Sequence, residues 1–434
     1  MIRKSATTES DSTLSSRRFF SVMAQQLLGT VLKICTGVIL AWMLSATEFG
    51  EFNAAYGVMM IASVVAGLGL NQFVVRPFRH AITTGDYSIA RGLRYFIPLC
   101  IIAASAVSIG ILFGTHLLYS HHSMVQVESF AAVLAMLPLV AMMSYLVSTA
   151  NTHGAAGRAM FLATTGLQTA LLLGLGIIWY LAGDSFGVLG AAGVWVAASF
   201  VICLALWRLN RVVEKRQFKS GPRRTNWGSW ARGSFPYLIL GVVTMFLIQS
   251  PFVVLGWIHA NGEDAAMFAA ADHLAQLLSV FGAAALAVFS PAIADAIESK
   301  DRLKYTSLIR RWWIVVCPAT IVSAILISVF GSTLLGFYGD QCLAAYWLLV
   351  IIAAAIAITN CLLMFVSALQ YVGGGRSVIV ISAIWTVTGF AAMVVMGHYW
   401  QEMGVAITQA VAFIGMYATM MIRSSILIRR HMSM

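Results

Sequence analysis

Charged side chains are scarce in this sequence. Asp, Glu, Lys and Arg make up 10% of its 434 residues, against about 25% in an ordinary soluble domain, so a water-soluble globular fold is excluded. Paired cysteines are missing too. Cys35, Cys100, Cys203, Cys317, Cys342 and Cys361 stand singly, five of them inside apolar runs, which leaves no disulfide framework and no metal-ligand spacing. There is no P-loop, no G-x-S-x-G, no H-E-x-x-H, and no aqueous segment long enough to hold a catalytic centre. The expectation is therefore a protein that is not an enzyme and carries neither metal nor organic cofactor. Strict period-2 alternation is also absent, which removes a transmembrane β-barrel.

Apolar residues fill the space left by these absences. They form 60% of the chain, and the mean hydropathy is +0.86. The apolar runs fall at 20–43, 51–73, 93–119, 129–150, 159–182, 187–207, 235–258, 267–291, 312–336, 343–369, 377–397 and 403–422. Each is close to the ~20 residues a helix needs to cross the hydrocarbon core, so the fold class is an all-α polytopic membrane protein with twelve transmembrane helices. Pro98, Pro138, Pro251 and Pro318 fall inside these runs and interrupt them.

Lys+Arg 27 against Asp+Glu 16 gives a net charge of +11. With a cytoplasmic N-terminus, 26 of the 27 cations lie in cytoplasmic segments, including Arg3, Lys4, Arg17, Arg18 and eight in the loop 208–234. The opposite face carries only acids: Glu48, Glu51, Glu128, Asp184, Glu263, Asp264, Asp340 and Glu402. This is the positive-inside rule; it places both termini in the cytoplasm and removes the motive for a nucleic-acid partner. Ser16-Arg17-Arg18-Phe19-Phe20 imitates a twin-arginine export signal, but the run that follows contains Gln25, Gln26 and Lys33 and leads into eleven more spans.

The basic loop divides the chain into 1–207, a linker 208–234, and 235–434, with six spans on each side. A shift of about 214 to 220 residues brings the halves into register. Ser148-Thr149-Ala150 with Gly157-Arg158 matches Val366-Ser367-Ala368 with Gly375-Arg376; Pro98 matches Pro318; Gly190-Ala191-Ala192 matches Gly404-Val405-Ala406. Six spans per half preserve orientation, so the expectation is two six-helix bundles related by a pseudo-twofold along the membrane normal, the architecture of an alternating-access transporter.

Three stretches carry a family resemblance. Leu44-Ser45-Ala46-Thr47-Glu48-Phe49-Gly50-Glu51-Phe52 runs toward Gly67-Leu68-Gly69-Leu70-Asn71-Gln72-Phe73-Val74-Val75-Arg76; Phe289-Ser290-Pro291 precedes Ala292-Ile293-Ala294; Phe330-Gly331 precedes Phe337-Tyr338-Gly339. Together they resemble the polysaccharide-biosynthesis (Wzx-type) flippases of the MOP superfamily, relatives of the multidrug and toxin extrusion (MATE) transporters. The resemblance implies a MATE-like fold in a bacterial inner membrane, a central cationic cavity lined by spans one, two, seven and eight, and an undecaprenyl-diphosphate-linked oligosaccharide as cargo. It also implies a polysaccharide polymerase and a chain-length regulator as partners, alongside membrane lipid. A cation-coupled exporter of small amphipathic compounds is the alternative, and a membrane enzyme of the same pathway a third reading disfavoured by the short loops.

Lys33 is the cation the topology leaves over. A charge near a helix centre costs about 2.5–3.5 kcal/mol on insertion scales, so it faces the bundle interior or a water-filled cavity. There it meets an anionic group such as a diphosphate, forms an ion pair with Asp272, or snorkels to an interface. Gln25, Gln26 and Thr30 share its side of span one at helical spacing. Asp272-His273 in span eight is a candidate H+ or Na+ coupling site or the partner of Lys33. Asn71 and Arg76, at the cytoplasmic end of span two, are candidates for selecting a phosphate, against a reading as topology determinants shared with Arg79 and Arg94. Arg158 and Arg376 read as loop fixtures, and Gln168, Gln249, Gln276, Asn360 and Gln409 as sugar contacts or helix-joining groups. Gly37 and Pro251 weaken spans one and seven at membrane depth, which suits helices that bend. His121-His122 reads as a solvated pair.

Overall fold

The computed structural model describes residues 24–119, 124–182, 187–214, 221–258 and 262–433, and among these there is no strand. The twin-arginine-like segment, the pair His121-His122, and the charges of the N-terminal tail and of 215–220 lie outside the described residues. Eleven helices are long and apolar enough to cross a membrane: α1 (Ala24–Met43), α2 (Ala46–Ala66), α3 (Ser88–His116), α4 (Phe130–Thr152), α5 (Ala156–Leu181), α6 (Val188–Val213), α7 (Trp227–Gly256), α8 (Gly262–Glu298), α9 (Arg302–Val329), α10 (Asp340–Tyr371) and a last segment, Gly375–Met432. That last segment is broken at Trp400 and Gln401, whose backbone is non-helical (Gln401 φ 48°, ψ −135°). The break separates α11 from α12 and restores the expected twelve spans.

The hydropathic boundaries shift where polar chemistry ends a helix. The second span stops at Ala66, not at residue 73: Leu68 and Gly69 both take positive φ, and Gly69 packs against the backbone of Ser234 and Leu238, where a side chain would collide. A separate short helix, Val75–Thr84, then carries Arg76 and Arg79 on an exposed face. At the other extreme, α6 continues through the first basic residues to Val213.

The prolines act unequally. Pro98 and Pro318 sit inside unbroken helices, whereas Pro138 follows the turn that splits α4 at Ala135-Met136. Pro251 lacks the N–H that would bond the Leu247 carbonyl, and the Ser250 hydroxyl donates to that oxygen instead at 3.1 Å. A π-turn, Val254–Ile258, follows directly. The Gly157-Arg158 and Gly375-Arg376 landmarks fall near the starts of α5 and α11, equivalent places in the two repeats.

The described residues form two compact units. One contains the residues up to Gly37 and those from Met267 onward; the other is Val38–Ala266. Their membership differs from the six-plus-six division of the sequence. The first part of α1 groups with the later spans, and α7 with the earlier ones. The described residues of the basic linker therefore lie within the second unit. The chain passes from one unit to the other inside α1 and inside α8.

Candidate functional site

In the unit that holds the first part of α1, α8 is not a uniform helix. A 3₁₀ turn, Gln276–Leu278, interrupts it between Ala275 and Ser279. Such a turn frees backbone carbonyls, and the buried Asn360 of α10 donates to the Leu278 oxygen at 2.7 Å. Asn360 is thus a helix-joining group. The turn also aims Gln276 at α1. Lys33 Nζ donates to Gln276 Oε1 at 2.6 Å, and Gln276 Nε2 donates to Asp272 Oδ2 at 2.6 Å.

Of the readings offered for Lys33, the direct ion pair with Asp272 is not formed; a three-member chain stands in its place, in which a neutral amide separates the charges. Gln276 alone was legible only as one of five undifferentiated polar residues. Lys33 is half-buried, as are Asp272 and Gln276. An ammonium has three donors, and one is used here among the described residues.

His273 lies beside this chain. Its ring centroid is 6.4 Å from that of Tyr338, and its buried Nδ1 has no hydrogen-bond partner among the described residues. Both rings close on Gly37, where a Cβ would come within 2.8 Å of His273 Nδ1 and 3.1 Å of the Tyr338 hydroxyl oxygen. Helix α1 runs unbroken through Gly37, where the missing side chain provides room for the two rings. Gln26 lies about two turns before Lys33; its carbonyl accepts from Thr30 at 2.9 Å, and its buried Oε1 has no hydrogen-bond partner among the described residues. Gln25, next to it, is half-buried. The cluster presents one cation, one carboxylate, an amide between them, an imidazole and an unsatisfied carbonyl oxygen at membrane depth.

Asn71, Arg76 and Pro251 belong to the other unit. Asn71 Oδ1 accepts from the Gln72 backbone at 2.9 Å and so stabilises the chain break after α2. Arg76 is exposed, and Pro251 is buried in α7.

A second polar cluster in this unit was hidden in the basic linker. Helix α6 ends on Glu214, whose carboxylate meets Arg94 of α3 at 2.7 Å with side chains 3% and 19% exposed respectively. Beyond it the linker folds back on the start of α3. Arg91 Nε donates to the Pro222 carbonyl at 3.0 Å, the Arg224 amide donates to the Ser88 carbonyl at 3.1 Å, and the Arg223 guanidinium lies 3.6 Å from the Tyr95 ring centroid. In the loop before α3, hydrogen bonds from Ser88, with Arg224 and Arg91 nearby, hold the Asp86 carboxyl below the usual carboxylate range. Glu214→Ala leaves the Arg94 guanidinium without its counter-ion. The expected cost is about 3 kcal/mol, the lower end for a broken buried pair because Arg94 can partly hydrate. Thermal unfolding of the purified variant checks this; an unchanged midpoint refutes the pair's importance.

The family model described as polysaccharide biosynthesis protein matches residues 15–297, which is more than half of the chain. No curated protein matches by sequence. Solved structures are similar over nearly the whole length. An inward-facing multidrug resistance MATE family transporter of the MOP superfamily aligns with a TM-score of 0.73 at 16% identity, covering 93% of this chain and 95% of the other. A MATE protein in complex with MaL6 gives 0.68 at 15% identity, with 97% and 98% covered. A MOP superfamily transporter from Pyrococcus furiosus, described as having a binding pocket of reverse polarity, gives 0.66 at 13% identity, with 96% of each chain covered. At these identities the likeness establishes the fold. The chain is a multi-pass membrane protein with the MATE fold, and it belongs to the polysaccharide biosynthesis protein family.

Proposed function

We propose that this protein is a flippase that moves undecaprenyl-diphosphate-linked oligosaccharide units from the cytoplasmic to the periplasmic leaflet of a bacterial inner membrane for surface polysaccharide assembly. The observation that carries the reading is Lys33. It is a cation at membrane depth that donates to a neutral amide, with no carboxylate in direct contact among the described residues, so ammonium donors remain for a diphosphate. The family supports a polysaccharide cargo, and the fold supports alternating access. The basic face lies in the cytoplasm with both termini, where the lipid-linked unit is made. Asp272 and His273, adjoining Lys33 through Gln276, are the proposed H+ or Na+ coupling groups, since cargo arriving at Lys33 perturbs them directly. The polymerase and chain-length regulator that consume the flipped unit are the proposed protein partners.

A chromosomal deletion tests this against export of small amphipathic compounds. The expected result is loss of surface polysaccharide with unchanged susceptibility to lipophilic cations. Intact polysaccharide with raised susceptibility overturns the proposal.

A further inference from the structure

Two cavities are built from spans of the same order in the two halves of the chain. One, of about 430 Å³, lies between α3, α4 and α6 and is lined by Arg94, Tyr145, Trp207, Arg211 and Glu214 among others. The second, of about 500 Å³, lies between α9, α10 and α12 and is lined by Arg302, Phe365, Ser425, Arg429 and Met432 among others. Each cavity is thus built from the third, fourth and sixth spans of its half, at the basic ends. The last span of each half lines its cavity with the same spacing: Trp207, Asn210, Arg211 and Glu214 in the first, Ser425, Ile428, Arg429 and Met432 in the second.

In the first cavity both cations are satisfied internally. Glu214 neutralises Arg94 at 2.7 Å, and the Arg211 guanidinium lies 4.1 Å from the Trp207 ring centroid. In the second cavity both partners have been exchanged. Serine stands where the stacking indole was, and methionine where the carboxylate was. Arg429 persists, and Arg302 adds a second guanidinium from the first turn of α9. Neither arginine makes an ion pair among the described residues. The aliphatic hydroxyls there are already spent, Thr306 donating to the Arg302 carbonyl at 2.7 Å and Ser425 to the Met421 carbonyl at 2.9 Å, and Tyr305 adds a phenol to the lining. The inner wall is apolar, with Phe365 and Ile428 buried and Ile309 and Met432 half-buried.

Two exposed guanidinium groups beside an apolar wall, neither with a carboxylate partner among the described residues, match an anion that brings hydrocarbon with it. We propose that the cavity between α9, α10 and α12 binds an anionic glycerophospholipid, its phosphate held by Arg302 and Arg429 and its acyl chain laid against Phe365 and Ile309. In this half the lipid supplies the negative charge that Glu214 supplies in the other. A phosphate without chains leaves the apolar wall uncovered, so a lipid suits the site better than a free phosphate does.

Native mass spectrometry of the purified protein in detergent tests this with phosphatidylglycerol, phosphatidylcholine and glycerol 1-phosphate. The expected result is one retained phosphatidylglycerol and weaker retention of the other two. Arg302→Ala with Arg429→Ala should lower phosphatidylglycerol affinity at least about tenfold, since each removes a charge-assisted contact. Met432→Glu, which installs the carboxylate of the other repeat, should lower it similarly while both arginines remain. That variant keeps the test decisive if the double alanine variant fails to fold. Unchanged phosphatidylglycerol affinity in Met432→Glu, or equal retention of phosphatidylcholine or glycerol 1-phosphate, overturns the proposal.

Discussion

Lys33→Ala is expected to abolish polysaccharide export while the protein remains in the membrane at its normal level. The ammonium carries the one cation outside the basic segments, and it is held at 2.6 Å by an amide, not by a carboxylate. If it meets the diphosphate of the cargo, its removal deletes a charge-assisted contact worth about 1.5–3 kcal/mol, roughly 10–100-fold in binding. Insertion of the helix becomes easier at the same time, because an intramembrane charge has gone. Loss of function with gain of hydrophobicity is the signature of a working cation, since a residue needed only for folding would lower the protein level. Lys33→Arg should retain part of the activity, because the charge survives with a bulkier donor geometry. Gln276→Leu separates two roles. It breaks the link to Asp272 but leaves the ammonium, so residual export is expected if Lys33 contacts cargo. Polymer at the cell surface, measured beside an immunoblot of the membrane fraction, reads all three variants. Full export by the alanine variant would remove Lys33 from the mechanism.

Gly50→Leu is expected to remove folded protein altogether. Gly50 lies in the first turns of α2 and packs directly on the Gly262 carbonyl at the start of α8, so a Cβ would overlap that oxygen. Gly262 in turn approaches Thr47, with a hypothetical Cβ at 2.8 Å from its carbonyl and 2.9 Å from its methyl. Two helix starts therefore meet backbone to backbone, the arrangement small residues permit in membranes. A flexible side chain could move aside; these backbone carbonyls cannot without shifting a helix. Gly50→Ala should cost about 2–3 kcal/mol, the upper range for overpacking. Gly110→Ala, at a position where nothing lies within 4 Å, should be neutral or slightly stabilising through helix propensity. Melting of the two alanine variants in detergent compares them, and equal midpoints would show the glycine contact to be irrelevant.

Gly50 also marks the limit of what the sequence disclosed. As part of the Leu44–Phe52 stretch it signalled family, but its reason is a partner more than two hundred residues away. Spans were legible because hydropathy sums the solvation of single residues over a window, and every helix must satisfy the same hydrocarbon thickness. Even the junction of α11 and α12 was placed between residues 397 and 403, bracketing the break at Gln401. Contacts between helices are set by which face turns toward which neighbour, and no window records that. So Lys33 was identified by its isolation, whereas Gln276 depended on a 3₁₀ turn that reorients one side chain. Glu214 was lost among the cations of a loop that is helix for its first six residues. The end of α2 at Ala66 was missed for a related reason. Leu68 and Leu70 keep the window apolar, while the backbone turns there because Gly69 must approach another helix.

The acids that the sequence reading places opposite the cations have a second consequence, for helix polarity. Glu48 is in the first turn of α2, where it accepts from the Ser45 amide and hydroxyl at 2.9 and 2.8 Å. Glu263 and Asp264 are in the first turn of α8, Asp340 opens α10, and Glu402 follows the break that begins α12. In an up-down bundle with its N-terminus on the basic side, every even-numbered helix starts on the acidic side, and its amino end carries about half a positive charge. The carboxylates thus complement helix dipoles as well as obeying a sidedness rule. Exchanging them for lysines to invert the topology would also destabilise five helix-starting positions. Such a variant would report on folding as much as on orientation.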